Sequence, residues 1–139
     1  MISTYIVDDV QSDRYIARRR LQKAGCFTPL DEAVDGLDFL QKFFLRQPDK
    51  PQQNVVPSLI LMDINMPELN GFETLEELKR RLPEDARDYQ IVAMFSSSDN
   101  DRDIARSVTT GMVEHFFTKP IDDAAIAEIL KTYRARGFL

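Results

Sequence analysis

The stretch SLILMDINMPELNGFE, residues 58 to 73, decides how this chain folds. Its apolar run at 59–62 has the length of a buried strand and stops at Asp63. Pro67 and the pair Asn70-Gly71 then mark a tight loop ahead of a segment with helical periodicity. The stretch therefore predicts a strand that brings a carboxylate to the edge of a sheet, followed by a structured loop and a helix.

Length and composition bound the class of protein. The 139 residues are 43% hydrophobic and 29% charged, as expected of one globular domain. The net charge of −5 argues against nucleic-acid binding through a basic surface, and no apolar run is long enough to span a membrane. Cys26 is the single cysteine, so an internal disulfide is impossible. With no signal peptide ahead of the first strand, these features predict a cytoplasmic protein.

Apolar runs of strand length alternate with segments of helical periodicity along the whole chain. The runs lie at 4–7, 29–33, 59–62, 91–95 and 115–117. Each is followed by a segment whose apolar residues recur every three or four positions, which is typical of an amphipathic helix. Five such βα units, with strands that are apolar on both faces, predict a parallel sheet between two layers of helices.

Two local features of the helices also follow from the pattern. Ser12 or Asp13 is expected to cap the first helix, because both side chains can accept a hydrogen bond from the exposed N–H groups of the first turn. In the second helix, Leu37, Leu40 and Phe44 are expected to face the core, and Phe39 and Phe43, which flank them, are also expected to be buried there.

Polar side chains follow the predicted strands at the point where each one ends. Asp8 and Asp9 follow the first strand, and Asp63 follows the third. Ser96 follows the fourth strand and Lys119 the fifth. Ligands of doubly wound sheets bind outside the carboxyl ends of the strands. We therefore expect three carboxylates, a hydroxyl and an ammonium group to meet at one edge of the sheet.

This combination of groups favours phosphoryl chemistry. Three neighbouring carboxylates repel one another unless a cation lies among them, and oxygen ligands with room for water suit Mg²⁺. A metal ion beside a hydroxyl and a lysine can neutralise a phosphoryl group. Asp63 is central and isolated, so it is the best candidate for a nucleophile that forms an acyl phosphate. The adjacent Asp8 and Asp9 are better suited as metal ligands.

Four segments together carry a resemblance to a known family. They are the acidic pair at 8–9, LILMDINMPELNG around Asp63, VAMFSSS around Ser96 and FTKP ending at Pro120. In this order and spacing they resemble the receiver domains of two-component response regulators, in particular stand-alone chemotaxis-type receivers. The resemblance covers essentially the whole chain. It implies an α/β, flavodoxin-like (βα)5 three-layer sandwich with a five-stranded parallel sheet in the order 2-1-3-4-5, and a single receiver domain over 1–139 without an output domain.

The resemblance implies a phosphoryl acceptor and a metal site. Asp63 would be the acceptor and would also bind Mg²⁺. Asp9 would bind the metal directly and Asp8 through water. The backbone carbonyl of Asn65 would complete the protein ligands.

The resemblance also implies a conformational switch. Ser96 would move to hydrogen-bond the phosphoryl group, and Lys119 would pair with it. Phe116 would turn inward as Ser96 moves. The bond between Lys119 and Pro120 would be a cis peptide, which proline makes accessible.

The implied partners are other proteins. The phosphoryl donor would be a sensor histidine kinase or a histidine phosphotransfer protein, and the output would pass to a downstream protein target. Direct nucleic-acid binding and membrane insertion are not expected. The protein would be a signalling switch rather than an enzyme, although it would assist its own phosphorylation and dephosphorylation. It would be a monomer, or a dimer through the face formed by the fourth helix, the fifth strand and the fifth helix.

Two alternatives remain open from the residues. A Mg²⁺-dependent phosphohydrolase with an aspartyl nucleophile commonly carries a second acid two residues later, where this chain has Asn65, and it needs a cap domain over its substrate. A pseudo-receiver that only binds partners would be expected to lack Asp9, Asp63 or Lys119, and this chain has all three.

Overall fold

A computed structural model of the protein describes residues 1–46, 57–97 and 101–138. Within these ranges, strands and helices alternate as β1 (Ile2–Val7), α1 (Gln11–Ala24), β2 (Phe27–Ala33), α2 (Gly36–Arg46), β3 (Ser58–Asp63), α3 (Gly71–Arg81), α4 (Glu84–Arg87), β4 (Gln90–Ser96), α5 (Asp101–Thr110), β5 (Val113–Thr118) and α6 (Asp123–Ala135). The single turn α4 is an addition to the predicted pattern, so the predicted fourth and fifth helices correspond to α5 and α6. Pro48, Pro51 and Pro57 predict a loop at 48–57, and this segment lies, except for Pro57, outside the described residues.

The five strands form one parallel sheet in the order β2-β1-β3-β4-β5. The predicted fold class and strand order are therefore confirmed. The order places β1 beside β3, with Val7 opposite Met62. Their carboxyl ends, and the acidic residues that follow, consequently lie next to each other.

Each face of the sheet carries its own apolar core, because successive side chains of a strand point to opposite faces. Ile60 and Met62 of β3 pack with residues of α2 and α3 on one face. Leu59 and Leu61 pack with residues of α1 and α6 on the other. All six residues of β3 are buried, as expected for the central strand of a sheet that is covered on both faces.

The predicted cap of the first helix is wrong. Helix α1 begins at Gln11, and its N-cap residue is Val10, whose side chain makes no capping hydrogen bond. Asp13 lies within the helix and makes an ion pair with Lys119 at the edge of the sheet. The side chain of Asp13, which the local pattern predicts as a cap, thus forms a long-range ion pair instead.

The predicted core face of the second helix is also wrong in part. Phe39 and Phe43 are buried with Leu40, whereas Leu37 is 51% exposed. The rings of Phe39 and Phe43 lie 5.5 and 5.6 Å from the ring of Tyr5 in β1. The helix therefore turns the side that carries Phe39 and Phe43, rather than Leu37, towards Tyr5 and the sheet.

Candidate functional site

The three predicted acidic residues meet at the carboxyl edge of the sheet. Asp8, Asp9 and Asp63 each offer a carboxylate oxygen, and these oxygens lie within 4.8 Å of one another. Asp8 and Asp63 are buried, whereas Asp9 is exposed. The backbone N–H of Val10 donates to Asp8 Oδ1 at 2.9 Å, which fixes the orientation of that carboxylate. The site is therefore anchored on two neighbouring strands and open on one side.

Lys119 lies among these carboxylates. Its Nζ is 2.7 Å from Asp8 Oδ2, 2.9 Å from Asp13 Oδ2 and 3.1 Å from Asp63 Oδ1. The backbone N–H of Lys119 donates to the carbonyl oxygen of Ser96 at 2.7 Å, and the Lys119–Pro120 peptide is cis. Burial lowers the pKa of Lys119, but its hydrogen bonds to Asp8 and Asp13 and the charge of Asp63 outweigh burial and raise the pKa above its usual value. The lysine is a fixed positive charge at the centre of the site.

Two residues of the site were missed from the sequence. Asp13 is part of the lysine's carboxylate shell, and Arg14 donates from Nη1 to the carbonyl oxygen of Asp8 at 2.7 Å. Arg14 also pairs with Glu32 of β2 at 3.1 Å, so it ties the end of β1 to its neighbour strand. The only signal for Asp13 in the sequence is that it follows the Asp8-Asp9 pair by about one helical turn.

The loop after Asp63 is held by its own hydrogen bonds. The N–H of Gly71 donates to the carbonyl oxygen of Ile64 at 2.8 Å and closes the loop. Asn70 and Glu73 then form a reciprocal capping box at the start of α3. The backbone N–H of Asn70 donates to Glu73 Oε1 at 3.0 Å, and the backbone N–H of Glu73 donates to Asn70 Oδ1 at 2.9 Å. Asn65 lies exposed in this closed loop, two residues after Asp63.

The two predicted switch residues occupy neighbouring strands. Ser96 is buried at the end of β4, opposite Thr118 of β5. Phe116 is partly buried and lies opposite Met94, packed against the core on the α2 and α3 face. Ser96 thus lies at the carboxyl end of β4, and Phe116 lies two residues before the carboxyl end of β5.

The environment of Asp63 disfavours its charged form. Burial, together with the negative charge of Asp8, raises the pKa of Asp63 from 3.8 to about 6, against the opposing effect of Lys119. The positive charge of Lys119, 3.1 Å away, therefore offsets only part of the effect of burial and of the neighbouring negative charge on Asp63.

This raised pKa predicts a pH-dependent stability difference between the protein and its Asp63→Asn variant. The folded state retains the Asp63 proton at pH values where the unfolded chain has lost it, so the stability contributed by Asp63 falls as pH rises from 3.8 to about 6. Over this range we expect the wild type to lose up to about 3 kcal/mol of unfolding free energy relative to Asp63→Asn. Urea unfolding of both proteins in EDTA measures this, and a difference that does not change with pH would contradict the prediction.

The residues present fit a divalent cation. The site offers three carboxylates, one of them exposed to incoming water ligands, and hard oxygen donors of this kind suit Mg²⁺. One lysine offsets only part of their negative charge. Asp8, Asp9 and Asp63 would hold the ion, with the Asn65 carbonyl as a further oxygen donor.

Comparison with known proteins decides the family. The response regulator receiver domain family matches residues 4–131. The chain belongs to this family. Receiver domains are signalling modules that accept phosphoryl groups, bind Mg²⁺ at an acidic pocket and interact with histidine kinases or phosphotransfer proteins. The resemblance inferred from the sequence is thus confirmed.

Curated relatives carry the receiver in different settings. The chain is 28% identical over 132 residues to the protein PilG of Pseudomonas aeruginosa, with 95% of this chain and 87% of PilG covered. It is 32% identical over 132 residues to the sensor histidine kinase CheAY of Helicobacter pylori, with 93% of this chain but 15% of CheAY covered. It spans only 7% of the hybrid signal transduction histidine kinase L of Dictyostelium discoideum, at 30% identity over 95% of this chain.

Solved structures share the fold of this receiver. A two-component response regulator from Cytophaga hutchinsonii superposes with a TM-score of 0.85 at 22% identity, covering 97% of this chain and 98% of that one. TrrA from Thermotoga maritima, solved in complex with Mg²⁺-BeF, gives a TM-score of 0.70 at 23% identity, covering 95% and 98%. Within the described parts of this receiver, none of the helices is both long and apolar enough to cross a bilayer.

Proposed function

We propose that this receiver accepts a phosphoryl group on Asp63 from a phosphohistidine of a partner kinase or phosphotransfer protein, and that Mg²⁺ is required. The observation that carries the proposal is the arrangement around Asp63. Two further carboxylates lie within 4.8 Å of one another and of Asp63, and Lys119 Nζ lies 3.1 Å from Asp63 Oδ1. A nucleophile, a metal-binding set and a phosphate-binding cation are thus supplied by one cluster.

The proposed reaction assigns a role to each residue. A carboxylate oxygen of Asp63 attacks the phosphorus, the phosphorus–nitrogen bond to the donor histidine breaks, and its electron pair stays on the imidazole. Asp8, Asp9 and Asp63, with the Asn65 carbonyl, would hold the metal, and Lys119 would pair with one phosphoryl oxygen. Mg²⁺, when bound, neutralises charge on the phosphoryl oxygens and on the carboxylates.

The proposed output is a change of conformation read by another protein. A phosphoryl group on Asp63 adds charge and acceptor oxygens beside Ser96. We propose that Ser96 moves to donate to it and that Phe116 turns further inward. The surface formed by α5, β5 and α6 would then change, and it would contact a downstream protein or a second copy of the chain.

The setting of the receiver is also a proposal. It would act as a stand-alone receiver in the cytoplasm. It would work as a signalling protein rather than an enzyme, without contacting nucleic acid. The likeness to PilG over 87% of PilG supports stand-alone action, whereas CheAY shows that similar receivers also occur within longer kinases.

The test of this function is phosphoryl uptake from acetyl phosphate. Intact mass should show one added phosphoryl group in Mg²⁺ and none in EDTA. Asp9→Ala should behave as the protein in EDTA does, because it removes the exposed metal ligand; Asp123→Ala, which removes an exposed carboxylate of α6, is the control. An adduct that persists in EDTA or in Asp9→Ala would contradict the metal site. No adduct in the wild type, together with no binding of beryllofluoride, would favour a pseudo-receiver.

A further inference from the structure

Asp13 has no role in the function proposed above, yet it touches the same lysine as the phosphoryl acceptor. Asp13 Oδ2 is 2.9 Å from Lys119 Nζ, a distance between those from Lys119 to Asp8 and to Asp63. Unlike those two carboxylates, Asp13 is outside the cluster whose oxygens lie within 4.8 Å of one another. It therefore binds the lysine from α1 without belonging to the metal-binding set.

We propose that Asp13 is a positioning residue for Lys119. Its ion pair with the lysine determines how strongly the ammonium binds the metal-binding carboxylates and how strongly it binds the phosphoryl group. The inference rests on the proposed function, because it concerns the metal and the phosphoryl group of that same site. A lysine bound only to Asp8 and Asp63 competes with a divalent cation for their oxygens. Asp13 gives the ammonium a partner that does not bind the metal, and its charge also attracts the cation.

The same ion pair has the opposite effect on a phosphoryl group. Once Asp63 carries a phosphoryl group, Lys119 is needed by one of its oxygens, and Asp13 competes for it. The negative charge of Asp13 also repels the phosphoryl oxygens. Asp13 should therefore favour metal binding and disfavour the phosphorylated state, so that the two effects of its removal have opposite signs.

The chain supplies a matched control for this test. Asp123 at the start of α6 pairs with Arg20 of α1 at 3.4 Å, and its side chain is 83% exposed. Asp123→Asn thus removes one negative charge and one ion pair that α1 makes with the C-terminal part of the chain. It leaves the lysine and its three carboxylates in place.

The experiment measures two affinities by calorimetry, that for Mg²⁺ alone and that for beryllofluoride at saturating Mg²⁺. Beryllofluoride stands in for the phosphoryl group on Asp63. In Asp13→Asn we expect the Kd for Mg²⁺ to rise roughly threefold and the Kd for beryllofluoride to fall roughly threefold. Asp13→Glu, which keeps the charge, should restore most of both values, and Asp123→Asn should resemble the wild type. Weakening of both affinities would mean that Asp13 is merely structural, and no change in either would also overturn the proposal.

A second set of variants tests whether Asp13 acts through Lys119. Lys119→Met should tighten Mg²⁺ binding, because it removes the competing cation. In the Lys119→Met background, Asp13→Asn should change the Mg²⁺ affinity less than it does in the wild type. Equal effects in both backgrounds would contradict action through the lysine. Because this readout needs no phosphoryl group, it still decides the role of Asp13 if the wild type fails to bind beryllofluoride and the proposed function is wrong.

Discussion

Asparagine in place of Asp63 is expected to abolish Mg²⁺-dependent phosphoryl uptake. The amide lacks the anionic oxygen that attacks the phosphorus, and it removes one of the three carboxylates that meet at the edge of the sheet. We expect at least a hundredfold lower yield of phosphorylated protein, on the order of the effect of removing a nucleophile. Intact mass after incubation with acetyl phosphate and Mg²⁺ measures it.

The control for this variant is its stability. Because burial of Asp63 disfavours its charged form, Asp63→Asn should fold at least as stably as the wild type at neutral pH. If urea unfolding of the variant confirms this, loss of uptake is not caused by unfolding. An acyl phosphate is labile to both acid and base, and an adduct with both properties on Asp63→Asn would show that another carboxylate is the acceptor.

Alanine in place of Gly71 is expected to destabilise the protein and to disturb the acceptor. A Cβ on this residue would overlap the carbonyl oxygen of Asp63 and would lie 2.8 Å from Met94 Cε. The carbonyl belongs to the backbone of β3 and cannot rotate away as a side chain can. We expect a loss of about 3 kcal/mol of unfolding free energy by urea denaturation, with slower phosphoryl uptake in the folded fraction.

Gly111→Ala separates contact from backbone conformation. Gly111 has a φ of 77°, but among the described residues a Cβ there would meet only Lys79 Nζ at 3.9 Å. Its replacement should cost about 1 kcal/mol, from the left-handed backbone alone, and leave phosphoryl uptake unchanged. If Gly71→Ala were no more destabilising than Gly111→Ala, the close approach of α3 to the end of β3 would not limit which residue the protein tolerates at position 71.

The alternation of strands and helices was predictable because it depends on local pattern. The apolar run at 59–62 predicted a strand that ends near Asp63, and β3 covers these residues. The residues at the strand ends were also predictable once the sheet was taken as parallel, since parallel strands present their carboxyl ends at one edge. The order of the strands came from the resemblance to receiver domains, because local pattern carries no information on which strands are neighbours.

The details of helix orientation were less predictable. Leu37 and Phe39 both fit a helical apolar stripe, and only the ring of Tyr5 on the sheet shows why Phe39 is buried and Leu37 is half exposed. Asp13 likewise fitted a helix cap. The fold brings Lys119 from 106 residues along the chain to within 2.9 Å of it, and this charge pair has no local signature.

The sequence by itself determined the strands, the helices and the residue types at the edge of the sheet, because periodicity and turn chemistry act over a few neighbouring residues. Only the tertiary structure decided which of those side chains share a partner. Lys119 is divided among Asp8, Asp13 and Asp63, which come from two strand ends and one helix. Electrostatic interactions depend on distance in space rather than on separation along the chain, so the balance of charge around the acceptor appears only when the chain is folded.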